Sequence, residues 1–214
     1  MPKLIHYDLV VTDFSQNCRI ITYGGSKDAL IIDPGGDSPR IIELLAEKEL
    51  TPIAIWLTHS HLDHCGGVAP LKARYAIPLY AHPQEREFRA RVKEISQMYG
   101  VERGFENCPE PEKALLGGEL LTFGPFRFEV LFTPGHSPGH VCFFEAGEKM
   151  LLGGDAIFAG SIGRTDLPGA DHQTLLRSIR EKILTLPADT VIMPGHGADT
   201  SVGVESVSNP FLIG

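Results

Sequence analysis

The sequence is poor in cysteine, has fewer basic than acidic residues, and lacks any long apolar run. Its four cysteines are widely spaced with no C-x-x-C pair, so neither a zinc knuckle nor a disulfide framework is predicted. A reducing cytoplasm is the expected setting. No stretch approaches the ~20 apolar residues of a membrane span, and the N-terminus has no apolar segment of signal-peptide length. These absences predict a cytoplasmic protein without a membrane partner.

The charge balance also excludes a class of partner. Acidic residues outnumber basic ones by 27 to 19, and the formal net charge is −8. Because phosphate backbones bind to basic surfaces, nucleic acid is not expected as a partner. An anionic small molecule would also be repelled unless metal ions or a local cationic patch offset this field. The apolar content of 43% is ordinary for a globular enzyme, and one domain over residues 1–214 is predicted.

Metal-binding side chains are concentrated in one segment, His59-Ser60-His61-Leu62-Asp63-His64. The segment follows an apolar run at 53–57, which predicts a buried strand. The side chains therefore lie where a rigid strand ends and a loop begins. Imidazole and carboxylate groups without a thiolate suit zinc, iron or manganese.

Three later strand ends repeat this pattern. His136 follows the alternating run at 126–132, Asp155 ends the apolar run that begins at 151, and His196 follows the run at 191–193. A glycine precedes each of the three, which permits a close approach of the backbone. Four strand ends carrying such residues predict a metal centre.

The order of elements indicates the fold class. Strands are predicted at 5–11, 19–23, 29–33, 53–57, 78–82, 119–123, 126–132, 140–145, 149–152 and 190–193. Helices are predicted from Ser38, from Gly66 through Tyr75, over 84–99 and after the N-cap Asp171. The arginines and the lysine at 86–93 are interpreted as the solvated face of the third helix. Hairpins followed by alternating strands and helices imply an α/β (α+β) chain with mixed sheets covered by helices.

The motif H-x-H-x-D-H at 59–64, together with His136, Asp155 and His196, resembles the metallo-β-lactamase superfamily across almost the whole chain. The resemblance implies an αββα sandwich of two mixed β-sheets flanked by helices. It further implies that a first metal is held by His59, His61 and His136, a second by Asp63, His64 and His196, with Asp155 bridging both and Asp33 supporting the site from beneath. Two zinc ions are the implied cofactors, and iron or manganese suits the same ligands.

The run Gly163-Arg164-Thr165-Asp166 is similar to that of short bacterial glyoxalase II-like (hydroxyacylglutathione hydrolase-like) proteins and of persulfide dioxygenases. The first similarity implies a binuclear hydrolase that cleaves S-lactoylglutathione to lactate and glutathione with a metal-bridging hydroxide. Typical glyoxalase II enzymes carry a helical C-terminal domain that binds glutathione. Only 18 residues follow His196, so no such domain is expected here. The alternative is a mononuclear iron dioxygenase for glutathione persulfide that uses His59, His136 and Asp155.

The chemistry of the leaving group favours a thioester as the substrate of the hydrolase over substrates that release an amine or an alkoxide. Two divalent cations ~3.5–4 Å apart can share a water and lower its pKa toward ~7. Asp63, the predicted catalytic carboxylate, and Asp155 are expected to orient the resulting hydroxide and to accept its remaining proton. No strong general acid is evident, but a thiol of pKa about 8.5 leaves as a thiolate without one.

A β-lactamase is not expected, because Asp155 stands where those enzymes commonly have cysteine and no export signal is present.

Four further residues receive narrower predictions. Arg164 is predicted to hold a substrate carboxylate, with a structural ion pair to Asp166 or Asp171 as the equal alternative. His140 is expected to support the site rather than bind metal. Cys65 and His82 are expected to be structural residues.

Overall fold

The computed structural model describes residues 2–101 and 104–213. The chain forms two compact units, one ending at Ala114 and the next beginning at Leu115. Within the described ranges, every helix falls short of the length and hydropathy that a bilayer crossing requires.

In the described residues of the first unit, six strands form one sheet in sequential order. The strands are β1 (Leu4–Val11), β2 (Gln16–Tyr23), β3 (Asp28–Ile32), β4 (Thr51–Trp56), β5 (Leu79–Ala81) and β6 (Lys113–Ala114). The first three pair antiparallel through short turns, whereas β3 to β6 pair in parallel. Parallel neighbours need a crossover connection, and helices supply these connections. The sheet is therefore mixed, as predicted.

The helices of this unit are α1 (Ser38–Glu47), α2 (Leu62–Cys65), α3 (Val68–Tyr75), α4 (Arg86–Ala90) and α5 (Val92–Met98). Proline in the first turn of α1 suits a helix start, since its fixed φ and missing N–H cost nothing there. Ile41 and Leu45 of α1 join Ile20, Ile31 and Ile55 of the sheet in one buried apolar cluster. This cluster makes a rigid base for the loop that follows β4.

The second unit, described as far as residue 213, also contains a six-stranded mixed sheet, in the order β14-β13-β10-β9-β8-β7. Its strands are β7 (Leu120–Phe123), β8 (Phe126–Phe132), β9 (Val141–Glu145), β10 (Met150–Gly154), β13 (Val191–Pro194) and β14 (Thr200–Ser201), and a separate hairpin pairs β11 (Ile157–Phe158) with β12 (Ser161–Ile162). Helix α6 (His172–Ser178) continues as a π-turn at Ile179–Ile183, and α7 (Val202–Ser208) follows β14. Leu175, Ile179 and Ile183 pack in a buried cluster with Leu151 and Ile192 of the sheet.

Each predicted strand has a counterpart, with ends that shift by up to three residues. The single helix predicted over 84–99 is wrong. The chain there forms a 3₁₀ turn at Pro83–Glu85, then α4, a break at Arg91 with φ of −116°, and α5. The solvated-face interpretation is also wrong for Arg89, which is 1% exposed and donates to the carbonyl of His82 at 2.9 Å. Helix α7 was not predicted.

Candidate metal centre

The loop after β4 brings three histidines of the first unit together. His59 and His61 have ring centroids 4.7 Å apart at an interplanar angle of 86°, and the centroids of His59 and His64 are 4.0 Å apart. His61 is the extended N-cap residue of α2, so Asp63 and His64 fall in the first turn of that short helix. The Asp63 Oδ2 lies 3.9 Å from the Nε2 of His64. The four predicted ligands of this unit therefore form one local group.

Asp33 is the shared anchor of two of these histidines. Its Oδ1 accepts the backbone N–H of Thr58 at 2.7 Å, and its Oδ2 accepts the Thr58 hydroxyl at 2.6 Å and His64 Nδ1 at 3.0 Å. Because the Thr58 hydroxyl donates to the carboxylate, its oxygen accepts from His59 Nδ1, 3.1 Å away. Both imidazoles then carry their proton on Nδ1 and their lone pair on Nε2. This is the tautomer in which a supporting carboxylate orients a metal-binding histidine.

A glycine lets the Asp33 loop lie directly against α2. A Cβ on Gly35 would stand 1.5 Å from the carbonyl oxygen of Asp63, so a larger residue cannot occupy this position without moving one of the two segments. The contact is reinforced by the Gly67 N–H, which donates to the carbonyl of Pro34 at 2.9 Å. Asp33 itself has a φ of 49°, a left-handed conformation that is uncommon for a residue other than glycine.

In the second unit, Asp155 lies within reach of two histidines. Its Oδ2 is 3.6 Å from His136 Nε2 and 3.5 Å from His196 Nε2. His136 Nδ1 donates to the carbonyl of Arg164 at 2.8 Å, which again leaves the lone pair on Nε2. His136 and Asp155 are buried, whereas His196 is partly exposed. The ends of β8, β10 and β13 thus deliver the three predicted ligands of this unit to one place.

The predicted supporting role of His140 agrees with its hydrogen bonds. Its Nε2 accepts the backbone N–H of Asp155 at 3.0 Å, which requires the proton to be on Nδ1. Nδ1 lies 2.8 Å from the Thr133 hydroxyl oxygen and donates to it. With both ring nitrogens engaged, His140 positions the backbone of Asp155.

The side chain of Arg164 pairs with Asp166, one of the two predicted alternatives. Its Nε and Nη2 donate to the two carboxylate oxygens at 2.6 and 2.7 Å, and the guanidinium side chain is 60% exposed. This pairing lowers the pKa of Asp166 to about 2. Asp171 instead accepts the backbone N–H of Thr174 and caps α6. Substrate binding by Arg164 stays a prediction.

The thiols belong to the core rather than to the ligand set. Cys65 is fully buried in the apolar cluster of the first unit and donates its S–H to the carbonyl of Ser60 at 3.4 Å. Burial raises the pKa of the Cys65 thiol well above its ordinary value. The structural role predicted for Cys65 agrees with these contacts, as does that of His82, which is buried and accepts the backbone N–H of Gln84.

A family model of the metallo-beta-lactamase superfamily matches residues 11–196. The chain belongs to this superfamily. The superfamily is one of metallo-hydrolases, and the resemblance inferred from the motif is confirmed.

Three known proteins show how similar this chain is to others in sequence and in structure. "Probable metallo-hydrolase YqgX" of Bacillus subtilis is 45% identical over 186 residues, which cover 86% of this chain and 87% of that protein. "Hydroxyacylglutathione hydrolase GloC" of Haemophilus influenzae is 40% identical over 203 residues, covering 94% and 95%. The crystal structure of the BLEG-1 B3 metallo-beta-lactamase matches with a TM-score of 0.90 at 40% identity, covering 98% and 100%. The metallo-β-lactamase fold is therefore confirmed.

The donor atoms in both units fit the divalent metals that this superfamily implies. These atoms are imidazole nitrogens and carboxylate oxygens. The histidine tautomers that Asp33, Thr58 and the Arg164 carbonyl fix are those that bind metal. Sequence reasoning missed Thr58 and the backbone role of Arg164. No local sequence pattern indicates either role. The Thr58 hydroxyl group links Asp33 to His59, and Arg164 acts through its backbone carbonyl group rather than its side chain.

Proposed function

We propose that this protein is a metal-dependent hydrolase of S-acylglutathione thioesters that converts S-lactoylglutathione to lactate and glutathione. The proposal is carried by the 40% identity to hydroxyacylglutathione hydrolase GloC over 94% of this chain. The superfamily membership and the histidine and carboxylate groups of both units support a metal-dependent reaction.

The proposed ligands are the seven residues that the motif predicts. His59, His61 and His136 would hold one divalent cation, Asp63, His64 and His196 would hold another, and Asp155 would be a ligand common to both. Zinc is the proposed metal, and iron or manganese suits the same donors. Asp33 supports the centre through the hydrogen bonds that orient His59 and His64.

A thioester is the substrate class that these residues suit best. Divalent cations, when bound, supply an activated water and stabilise negative charge on the carbonyl oxygen. The Asp63 carboxylate would accept a proton from the attacking water. The thiol leaves as a thiolate, since its pKa of about 8.5 makes protonation unnecessary, whereas an amine or alkoxide would need a general acid. The exposed Arg164 guanidinium would exchange Asp166 for a substrate carboxylate with the same bidentate geometry.

The test is hydrolysis of S-lactoylglutathione, followed by the loss of thioester absorbance. Protein stripped of metal with a chelator is expected to be inactive, and added zinc is expected to restore turnover. Absence of turnover with zinc, iron and manganese in turn would contradict the proposal.

Two further substrates separate the other activities. Glutathione persulfide, with oxygen uptake as the readout, tests the iron dioxygenase alternative, for which His59, His136 and Asp155 would be the ligands. One iron per chain without zinc in the purified protein would count against hydrolysis. A chromogenic cephalosporin tests the likeness to the B3 metallo-beta-lactamase, and the proposal expects far slower turnover of this lactam than of the thioester.

A further inference from the structure

Ser60 lies between the proposed ligands His59 and His61, and side chains hydrogen-bond to both its backbone N–H and its carbonyl group. Ser60 is fully buried, and its N–H donates to the Glu85 Oε2 at 2.9 Å. Its carbonyl accepts the Cys65 thiol at 3.4 Å. Ser60 therefore has little freedom to rotate about its backbone torsions.

The backbone at Ser60 decides where its two neighbours point. Side chains two residues apart lie on the same side of an extended chain and diverge when the chain between them turns. The rings of His59 and His61 converge here to 4.7 Å between centroids. A rotation of the Ser60 backbone would separate the two imidazoles, so whatever fixes this residue also fixes the pair.

The position of Glu85 is fixed by a short turn that has stabilising features of its own. The 3₁₀ turn Pro83–Glu85 follows β5 and begins with proline, and the ring of His82 accepts the N–H of Gln84 at 3.2 Å. The Glu85 side chain is completely buried. A buried polar side chain is costly unless its oxygens accept hydrogen bonds, and the Ser60 N–H supplies one of these bonds.

We infer that Glu85 is a positioning residue, whose hydrogen bond to the Ser60 N–H holds His59 and His61 in the orientation that binds metal. The inference rests on the metal centre of the proposed function but does not depend on which substrate is turned over. The bond needs an acceptor at the reach of a glutamate side chain, and it does not need a negative charge.

Three substitutions of Glu85 distinguish the effect of side-chain length from the effect of side-chain charge. Glu85→Gln removes the charge and keeps an oxygen acceptor at the same reach, whereas Glu85→Asp keeps the charge and withdraws the acceptor by one methylene. Glu85→Ala removes both. Glu87→Ala, which removes an exposed carboxylate from the adjacent helix, is the matched control.

The readouts are zinc affinity by competition with a chromogenic chelator and the visible spectrum of the cobalt-substituted protein, which reports ligand geometry. Glu85→Asp and Glu85→Ala are expected to weaken zinc binding by about 10- to 100-fold, the usual cost of losing a supporting group, and to alter the cobalt spectrum. Glu85→Gln and Glu87→Ala are expected to remain within about threefold of the unsubstituted protein. Thermal unfolding of each metal-free variant establishes that it folds.

The reverse pattern, with normal affinity for Glu85→Asp and weak binding for Glu85→Gln, would show that charge matters and would overturn the inference. Equal affinity in all variants would overturn it as well. If Glu85→Ala does not fold, the glutamine and aspartate variants still decide.

Failure of the unsubstituted protein to bind zinc or cobalt would contradict both the metal centre and this inference. Normal metal binding without thioester turnover would contradict only the proposed substrate.

Discussion

Single hydrogen bonds at the Nδ1 atoms of His59, His64 and His136 determine which ring nitrogen these histidines offer to a metal. Asp33 fixes this choice directly for His64 and through the Thr58 hydroxyl for His59. Without the carboxylate, both rings can rotate and exchange tautomers, which adds an ordering cost to metal binding.

Asp33→Ala is therefore expected to weaken zinc affinity by about 10- to 100-fold. Chelator competition measures the loss. Asp28→Ala is the matched control, since Asp28 is an exposed carboxylate at the start of β3, the strand that ends directly before Asp33. Equal zinc affinity in the two variants would show that Asp33 does not support the ligands.

Asp63 is both a proposed metal ligand and a proposed proton acceptor. Asp63→Ala is expected to lower kcat for S-lactoylglutathione by about 100-fold or more, the usual contribution of a positioned acid or base. The unfolding free energy is expected to change by less than about 1 kcal/mol, because the side chain lies on a short helix after a strand end and contributes little to the apolar core. Near-full activity in this variant would contradict the binuclear mechanism.

The Arg164–Asp166 pair predicts an unusual titration. The guanidinium beside Asp166 lowers the pKa of that carboxyl from 3.8 to about 2. A depressed pKa in the folded state means that the pair contributes its full stability above pH 3.8 and loses it as the pH falls toward 2. NMR titration of the Asp166 carboxyl is expected to show this low pKa, and Arg164→Gln to return it toward the ordinary value. An unchanged pKa in the variant would exclude the pairing in solution.

At the scale of the elements, the segment after β12 acts on the centre through its backbone. Gly163 brings this segment against β10, since a Cβ there would lie 2.0 Å from the Asp155 carbonyl oxygen and 3.1 Å from His136 Cβ. The next residue supplies the carbonyl that orients His136.

Gly163→Ala is accordingly expected to lower the unfolding free energy by about 1–3 kcal/mol, through overpacking, and to weaken metal binding as the Arg164 carbonyl moves. Gly24→Ala is the control, because a Cβ at Gly24 meets nothing closer than 4.0 Å. Urea unfolding and metal content measure the two effects. A Gly163→Ala protein as stable as the control would contradict the close approach.

The strands, and the histidine and aspartate residues that follow them, could be predicted because their signals are local. The alternating run at 126–132, for example, is followed within four residues by Gly135 and His136. Arg89 was misplaced because its partners are distant in the chain: it donates to the carbonyl of His82 and pairs with Glu110, neither of which its own periodicity indicates. Glu85 was missed for the same reason, since its partner Ser60 is 25 residues away.

At the scale of the whole molecule, the net charge opposes the proposed substrate. A formal charge of −8 repels a glutathione thioester, which is itself an anion, and added salt screens that repulsion. The kcat/KM for S-lactoylglutathione is expected to rise about two- to threefold as ionic strength increases from ~0.01 to ~0.15 M, where the Debye length falls from ~30 to ~8 Å. Stopped-flow or initial-rate measurements at constant pH test this. A falling kcat/KM would instead show that a local cationic surface guides the substrate.

The sharing of Asp33 between His59 and His64 also bears on how such a protein can evolve. The two histidines are the proposed ligands of different metal ions, so a change at Asp33 would damage both positions in one step. A descendant that dispenses with one ion while keeping the other must therefore change a ligand and leave this aspartate in place. Relatives that work with a single metal are thus expected to retain the aspartate and to differ at the ligands of the ion they have lost.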